Sequence, residues 1–302
     1  MYLRKIMEEK EKEEIKPASG KKRKPYLVIQ ILGIMFTLLF VTFCYAAFHL
    51  AKDLISNQKD KKGFNELSAI VAASSSDTSS PASAPQYNQQ AGQDSEAPAD
   101  ETAAETHDPA TGKLLKYLQL SEMNPEFFGW ISIEGLGVDY PVMYSPSRTE
   151  YYLNRDFYGN YSDSGIPFID ERCPADGNYY LLYGHLMKNK TVFGRLLEYD
   201  DVNTWRANPV IRFDTLTEER KYAVMSCFYS QIYYDDTQAF RYYDFYDLTD
   251  ENVFNFFVEQ SKANAIYETG ISAEYGDELL VLSTCSHHVT DGRFAVVAKR
   301  IS

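Results

Sequence analysis

The sequence predicts a mainly β fold with added helices, closed into a barrel, and three observations carry that expectation. From Phe127 to Tyr233 the apolar residues come in short runs rich in Val, Ile, Tyr and Phe, broken by Gly, Pro, Asn and Asp. Helical spacing is confined to a stretch before those runs, a short one among them and a long one after them. The last two runs, Leu279–Leu282 and Phe294–Ala298, flank a polar turn at Thr290-Asp291-Gly292, which makes them a hairpin able to close the barrel.

The N-terminal third has another character. Residues 1–25 mix charges and end in Lys21-Lys22-Arg23-Lys24, directly before an apolar run from Tyr26 to Leu50. Such a run is long enough to cross a bilayer as a helix and longer than the core of a signal peptide. It lacks a small-residue cleavage site and stays bulky through Phe43-Cys44-Tyr45 and Phe48-His49-Leu50. The expectation is a single membrane span over residues 26–50, with residues 1–25 in the cytoplasm by the positive-inside rule and everything after it extracytoplasmic. Residues 51–67 are polar and mixed, suited to continuing the helix a few turns. From Ser68 to Gly112 the chain turns to Ala, Ser, Thr, Pro, Gln and acidic residues with no Lys or Arg. Residues 51–112 are therefore expected to be a disordered tether, too poor in apolar surface to offset the entropy of ordering.

The folded part is expected over residues 113–302. Leu114, Leu115, Leu118 and Leu120 form a short helix that Asn124-Pro125 stops. Two strands follow between Phe127 and Tyr144, turning at Gly135 and Gly137, with Pro141 marking an edge or a bulge. Tyr151–Tyr158 reads as a helical turn or irregular segment, Gly165–Asp170 and Tyr179–Tyr183 as strands, and Thr191–Tyr199 as a short helix. Val210–Phe213 and Arg220–Tyr233 are strands around a turn. Thr249 is placed to cap a helix running to about Ala263, with Asp250 and Glu251 in the first turn where the helix dipole favours them.

Charge and cysteine content narrow the function. The chain carries a net charge of −13, and residues 113–302 hold 17 basic against 28 acidic side chains. Nucleic-acid binders show basic patches, so none is expected as a partner. No zinc-type Cys/His spacing and no EF-hand loop occurs, so neither a metal nor another cofactor is expected, with Asp235-Asp236 and Asp247–Glu251 left as weak cation sites at most. Of four cysteines, Cys44 lies in the apolar segment, leaving Cys173, Cys227 and Cys285. An odd number guarantees a thiol unpaired within the domain, and a Cys173–Cys227 bridge is left open.

That thiol has a chemical setting. Cys285 falls where the first hairpin strand ends and Arg293 where the second begins, so pairing brings both to one rim of the sheet. A cysteine attacks as thiolate, which a fixed positive charge favours, and the same charge stabilises the oxyanion of an attacked carbonyl. A proton carrier is still needed, and the chain has five histidines: His49, His107, His185, His287 and His288. His185 is the strongest, since it follows a strand and a Gly and so stands at a strand end; the pair His287-His288 is the alternative. Taken singly, each residue has a plain structural reading, the cysteine as a small buried hydrophobe above all.

Leu282-Ser283-Thr284-Cys285, Arg293 eight positions on and Tyr183-Gly184-His185 one hundred positions earlier resemble the catalytic signature of sortases, membrane-anchored cysteine transpeptidases of Gram-positive cell walls. The resemblance covers residues 113–302 and is greatest to class B, through Phe128-Gly129-Trp130-Ile131, Val138-Asp139-Tyr140-Pro141, Gly165-Ile166-Pro167-Phe168 and Val192-Phe193-Gly194-Arg195 in the same order. It implies a sortase-like barrel and a catalytic set of His185, Cys285 and Arg293. It also implies, as partners, surface proteins or pilins bearing a sorting motif and an amine from a peptidoglycan precursor or a pilin lysine. Class B members often carry an acidic residue within three positions after the cysteine, where this chain has Ser286, His287 and His288. The readings set against transpeptidation are a membrane-anchored endopeptidase with water as acceptor and a non-catalytic surface binding module.

Overall fold

The computed structural model describes residues 25–76, 106–234 and 238–302. The lysine cluster before Tyr26, residues 77–105 of the expected tether and Asp235-Asp236 lie outside the described residues. The chain divides into two compact units, Met1–Leu54 and Ile55–Ser302.

In the first unit runs the beginning of helix α1 (Pro25–Ser76). From Ile29 this helix is long and apolar enough to cross a membrane, with a mean hydropathy of 2.3 in its most apolar window. Its Phe36, Leu39, Phe43 and Phe48 are all exposed, as suits a membrane anchor or a signal sequence.

The second unit is a closed eight-stranded barrel. Its strands are β1 (Phe127–Ile133), β2 (Val138–Met143), β3 (Phe168–Ile169), β4 (Tyr179–Tyr183), β5 (Val210–Thr215), β6 (Lys221–Gln231), β7 (Leu279–Ser286) and β8 (Gly292–Arg300). Around the barrel they run β1-β2-β3-β4-β7-β8-β6-β5 and close back through β5 on β1. All neighbours are antiparallel except β2 with β3 and β4 with β7. Closure leaves no long edge exposed. Leu181, Leu182, Val281, Leu282, Val296 and Val297 have no exposed surface, because strands carrying layers on both faces become continuous apolar runs rather than alternating ones. On β2 only Met143 pairs with β3, so the side of β2 away from β1 is open over Pro141, where a missing N–H costs least.

Helix α2 (Leu115–Met123) lies against β1, with Tyr117 stacked on Trp130 at 6.4 Å and edge-on to Phe127 at 5.7 Å. The buried Tyr117 hydroxyl donates to Asp214 at 2.7 Å, which Lys116 also approaches at 2.8 Å. Helix α4 (Glu251–Ala263) buries Phe254, Phe257 and Val258. Phe257 meets Tyr179, Phe240 and Phe245 at ring distances of 5.2–5.6 Å.

Four expectations change in the structure, and one short helix is added. The helix continues through residues 51–67, as their composition allowed, and runs on into the stretch expected as tether as far as Ser76, with Phe64 and Leu67 buried in the core cluster. Phe64, Leu67, Ile70 and Val71 form a stripe at helical spacing, enough apolar surface for this half of α1 to dock. The strand expected over 165–170 shrinks to β3, since Gly165 has φ +55° and Pro167 has no N–H to pair. The helix expected over 191–199 is replaced by a turn and a 3-10 helix over Leu196–Asp200. Lys190 and Val192 take left-handed φ values of +63° and +53°, and a side chain on Gly194 would collide with the Met187 carbonyl oxygen at 2.5 Å. The added helix α3 (Val202–Ala207), capped by Asp201, spans too few residues to show a period. Finally, α4 is capped by Asp250, whose side chain accepts from the N–H groups of Asn252 and Val253, while the Thr249 N–H is taken by Asp247.

This last difference gives a measurable contrast. Asp250→Ala removes the acceptor for two otherwise orphaned N–H groups and is expected to lower stability by about 1 kcal/mol. Thr249→Ala leaves every cap bond in place and should be neutral. Denaturant midpoints of the two variants decide which residue is the cap.

Candidate active site

The end of the barrel where β4, β7 and β8 lie side by side carries all three candidate residues. Strand β8 pairs with β7 in antiparallel register, with Cys285 opposite Arg293. Directly paired residues of neighbouring strands point to the same face, so thiol and guanidinium share one face as expected. On the other flank β4 runs parallel to β7 with Tyr183 beside Ser283. Cys285 comes two residues later on β7 and His185 two residues past the end of β4, so both stand at the same end of the parallel pair. Cys285 is thus flanked by His185 on one side and Arg293 on the other.

Two bonds lock the parallel junction. The Gly184 N–H donates to the Ser283 carbonyl at 3.1 Å, and the Thr284 hydroxyl donates to the Gly184 carbonyl at 2.7 Å. Gly184 is required here: a Cβ would lie 2.5 Å from the Phe193 ring. Phe193 in turn donates its N–H to the His185 carbonyl at 3.2 Å. His185 is half-buried, and its Nε2 is buried with no hydrogen-bond partner among the described residues. Arg293 donates through its terminal Nη1 to the Gly292 carbonyl at 3.1 Å and the Asp291 carbonyl at 3.4 Å, which anchors one end of the guanidinium at the hairpin turn.

Ser283 shares the Cys285 face and is hydrogen-bonded to Tyr242 at 2.6 Å. Burial pushes the Tyr242 phenol well above its ordinary range, so it remains a neutral group facing the charge of Arg293. The sequence singled out Ser283 only as part of a motif and gave no signal for Tyr242, which comes from the long connection between β6 and β7.

The structure separates the alternative histidine from the thiol. Ser286 lies on the face of β7 opposite Cys285, and His288 bonds to its hydroxyl at 2.9 Å. His288 packs on the Tyr229 ring at 4.8 Å, and Tyr229 meets Phe294 at 4.9 Å on that same face, away from Cys285. His287 is exposed in the following turn, while His107 bonds through Nε2 to the Thr217 carbonyl.

The other thiols differ in kind from Cys285. All four cysteines are free, so the Cys173–Cys227 bridge left open by the sequence does not form. Burial pushes the Cys173 thiol up to about 12 and the Cys227 thiol up to about 11, too high for a useful thiolate near neutrality. Cys285 is partly exposed. Among the described residues no group of three His, Cys, Asp or Glu side chains could hold a metal ion.

A sortase-domain family profile matches residues 131–301. The chain belongs to the sortase family. Among named relatives it is similar to sortase B of Staphylococcus aureus, 25% identical over 190 residues that cover 62% of this chain and 75% of the relative. It is also similar to sortase B of Listeria monocytogenes, 25% identical over 67% of this chain and 83% of the relative. Of solved structures, sortase B from B. anthracis in complex with AAEK1 superposes with a TM-score of 0.62 at 22% identity, covering 82% of this chain and 99% of its own. A Staphylococcus aureus sortase B–substrate complex superposes with a TM-score of 0.55 at 25% identity, covering 62% and 85%. The sortase described here is therefore a sortase B-like cysteine transpeptidase with an N-terminal apolar helix of membrane-anchor length.

Thiol labelling checks the contrast among the cysteines. With folded full-length protein in detergent at pH 8, iodoacetamide should modify Cys285 while Cys173 and Cys227 stay unmodified until the barrel is unfolded. Peptide mapping by mass spectrometry reads each site separately.

Proposed function

We propose that this sortase cleaves a sorting motif of a secreted protein through a thioacyl-enzyme on Cys285 and transfers the acyl group to an amine. The observation that carries the reading is the register that puts His185 and Arg293 on opposite sides of one partly exposed thiol. In the first half-reaction the Cys285 sulfur attacks the scissile carbonyl carbon, and Arg293 stabilises the oxygen as it gains charge. The C–N bond breaks as His185 gives its proton to the leaving amine. In the second half-reaction an incoming amine gives a proton back to His185 and attacks the thioester, and the Cys285 thiolate leaves.

The relatives favour the same substrate classes. One has been solved as a substrate complex and another sortase B with triglycine bound, which supports a sorting peptide and a peptide amine as donor and acceptor here. On this reading the partners are surface proteins or pilins on one side and a wall-precursor or pilin amine on the other. The span over residues 26–50 holds the enzyme in the membrane with its N-terminus cytoplasmic and its barrel outside.

Acyl trapping tests the chemistry. Mass spectrometry of Cys285 from cells expressing the full chain should find a peptide acyl group that is released by added triglycine as a new amide; release only as the free acid would make the enzyme an endopeptidase, and no acyl group would leave a binding module. Arg293→Ala should fold normally and lose about 10²–10³ in turnover, with Arg293→Lys recovering only part because an ammonium lacks the fixed fork. His185→Ala should abolish acylation and His288→Ala preserve most of it.

Topology has its own test. Protease added to intact protoplasts should cut between residues 77 and 105 and release the barrel's main part, whereas protection behind a sealed membrane would reverse the orientation.

A further inference from the structure

The backbone that carries His185 is held in an unusual form, and α1 reaches it. Beyond His185 the chain makes a tight excursion, with Leu186 bridged to Val192 and the Lys190 N–H donating to the Met187 carbonyl at 2.9 Å. Within it Lys190 and Val192 sit at φ +63° and +53°. Left-handed backbone is rare for a β-branched residue and persists only where surrounding contacts impose it. Val192 is buried.

The imposing contacts are few. The Asn189 side-chain oxygen accepts from the Thr191 N–H at 3.1 Å and from its hydroxyl at 2.6 Å, shaping the turn. The Asn189 amide then donates to the side-chain oxygen of Asn57 on α1 at 2.7 Å. Two turns further along α1, Phe64 packs edge-on to Tyr140 at 4.8 Å, and both line one cleft with Asn189, Lys190 and Thr191 of the turn. The turn is therefore flanked by groups that α1 holds. Because no hydrogen bond among the described residues fixes His185 Nε2, the direction of the imidazole depends on the backbone beneath it.

We propose that Asn57 and Phe64 of α1 are positioning residues for His185, so that the helix leading out of the apolar segment sets the proton carrier of the site. Neither residue lies next to the thiol or the guanidinium. Their effect passes through Asn189 and Tyr140 to the 189–192 turn, and from Phe193 to the His185 carbonyl. This rests on His185 being the proton carrier. A misplaced catalytic group slows the bond-breaking step and leaves ground-state binding alone, so the effect belongs in kcat and not in KM. Displacements of the order of 1 Å can cost roughly a hundredfold.

The test uses the full chain in detergent micelles, with the peptide identified by acyl trapping as donor and triglycine as acceptor. Asn57→Ala should lower kcat by about tenfold or more with KM unchanged and Tm within about 2 °C of the parent. Asn57→Asp keeps an oxygen that accepts from Asn189 and should restore kcat. Phe64→Leu should show the same split as Asn57→Ala by the Tyr140 route. Ser56→Ala removes a bond from α1 to Asp163 that lies outside the His185 turn and should leave kcat intact. Parental kcat in both Asn57→Ala and Phe64→Leu overturns the coupling. So does an equal loss in Asn57→Ala, Asn57→Asp and Ser56→Ala, which would mean that docking of α1 alone matters. In the same assay an active His185→Ala overturns the proton-carrier reading as well, while an inactive His185→Ala beside an unaffected Asn57→Ala overturns only the coupling.

Discussion

Everything at the active end of this sortase depends on the parallel pairing of β4 with β7. Without it the hairpin of β7 and β8 would still set Cys285 beside Arg293, but His185 would have no reason to be near either. Five consecutive pairs, from Tyr179 with Leu279 to Tyr183 with Ser283, align the strand ends. The Gly184 and Thr284 bonds then stop the two strands from slipping. A slip of one residue would turn the side chains of β4 to the other face relative to β7 and carry His185 away from the face of Cys285. The Thr of the Leu-Ser-Thr-Cys motif thereby has a mechanical part: its hydroxyl fastens the strand that carries Cys285 to the strand that leads to His185.

How much of this could be read from the chain follows from the range of each interaction. The hairpin was legible, because its two apolar runs, its turn and its cross-strand pair all lie within 22 residues, Leu279–Arg300. So were β1, β2, β4, β5 and β6, whose runs of Val, Ile, Tyr and Phe are local signals. The register of β4 on β7 was not, since it joins residues one hundred positions apart; His185 could be picked out by its place after a strand and a Gly and by the likeness to a known signature, but not set beside Cys285. Tyr242 was invisible for the same reason: it reaches Ser283 across 41 positions from a segment with no period of its own. The outer half of α1 is a different failure. Its stripe of Phe64, Leu67, Ile70 and Val71 is present in the sequence, but it is bordered by lysines and followed by a Ser- and Ala-rich stretch whose composition obscured it.

The polar face of the site is built from neutral and singly charged groups arranged so that few compete. His288, close in sequence to the thiol, is turned outward by its bond to Ser286 and its stacking on Tyr229. Gly292 makes room for that arrangement, since a Cβ there would lie 2.9 Å from the His288 ring. Burial keeps Cys173 and Cys227 as thiols and Tyr242 as a phenol. One thiol, one half-buried imidazole and one guanidinium remain at the rim, which is the minimum that nucleophilic acyl transfer needs.

The order of the strands around the barrel also bears on how the enzyme is made. A chain is synthesised from its N-terminus, and β7 and β8 follow β1 to β6 in sequence yet stand between β4 and β6 in space. Until both have been added, β4 and β6 face each other across a gap two strands wide, with the apolar flanks of each unpaired. Loop closure over such separations is slow compared with local folding. The nascent polypeptide therefore carries its histidine long before it carries a nucleophile, and the thiol arrives on the same element that seals the barrel. Closing the barrel and completing the rim are thus a single event, and a product of synthesis truncated before β7 lacks both Cys285 and Arg293.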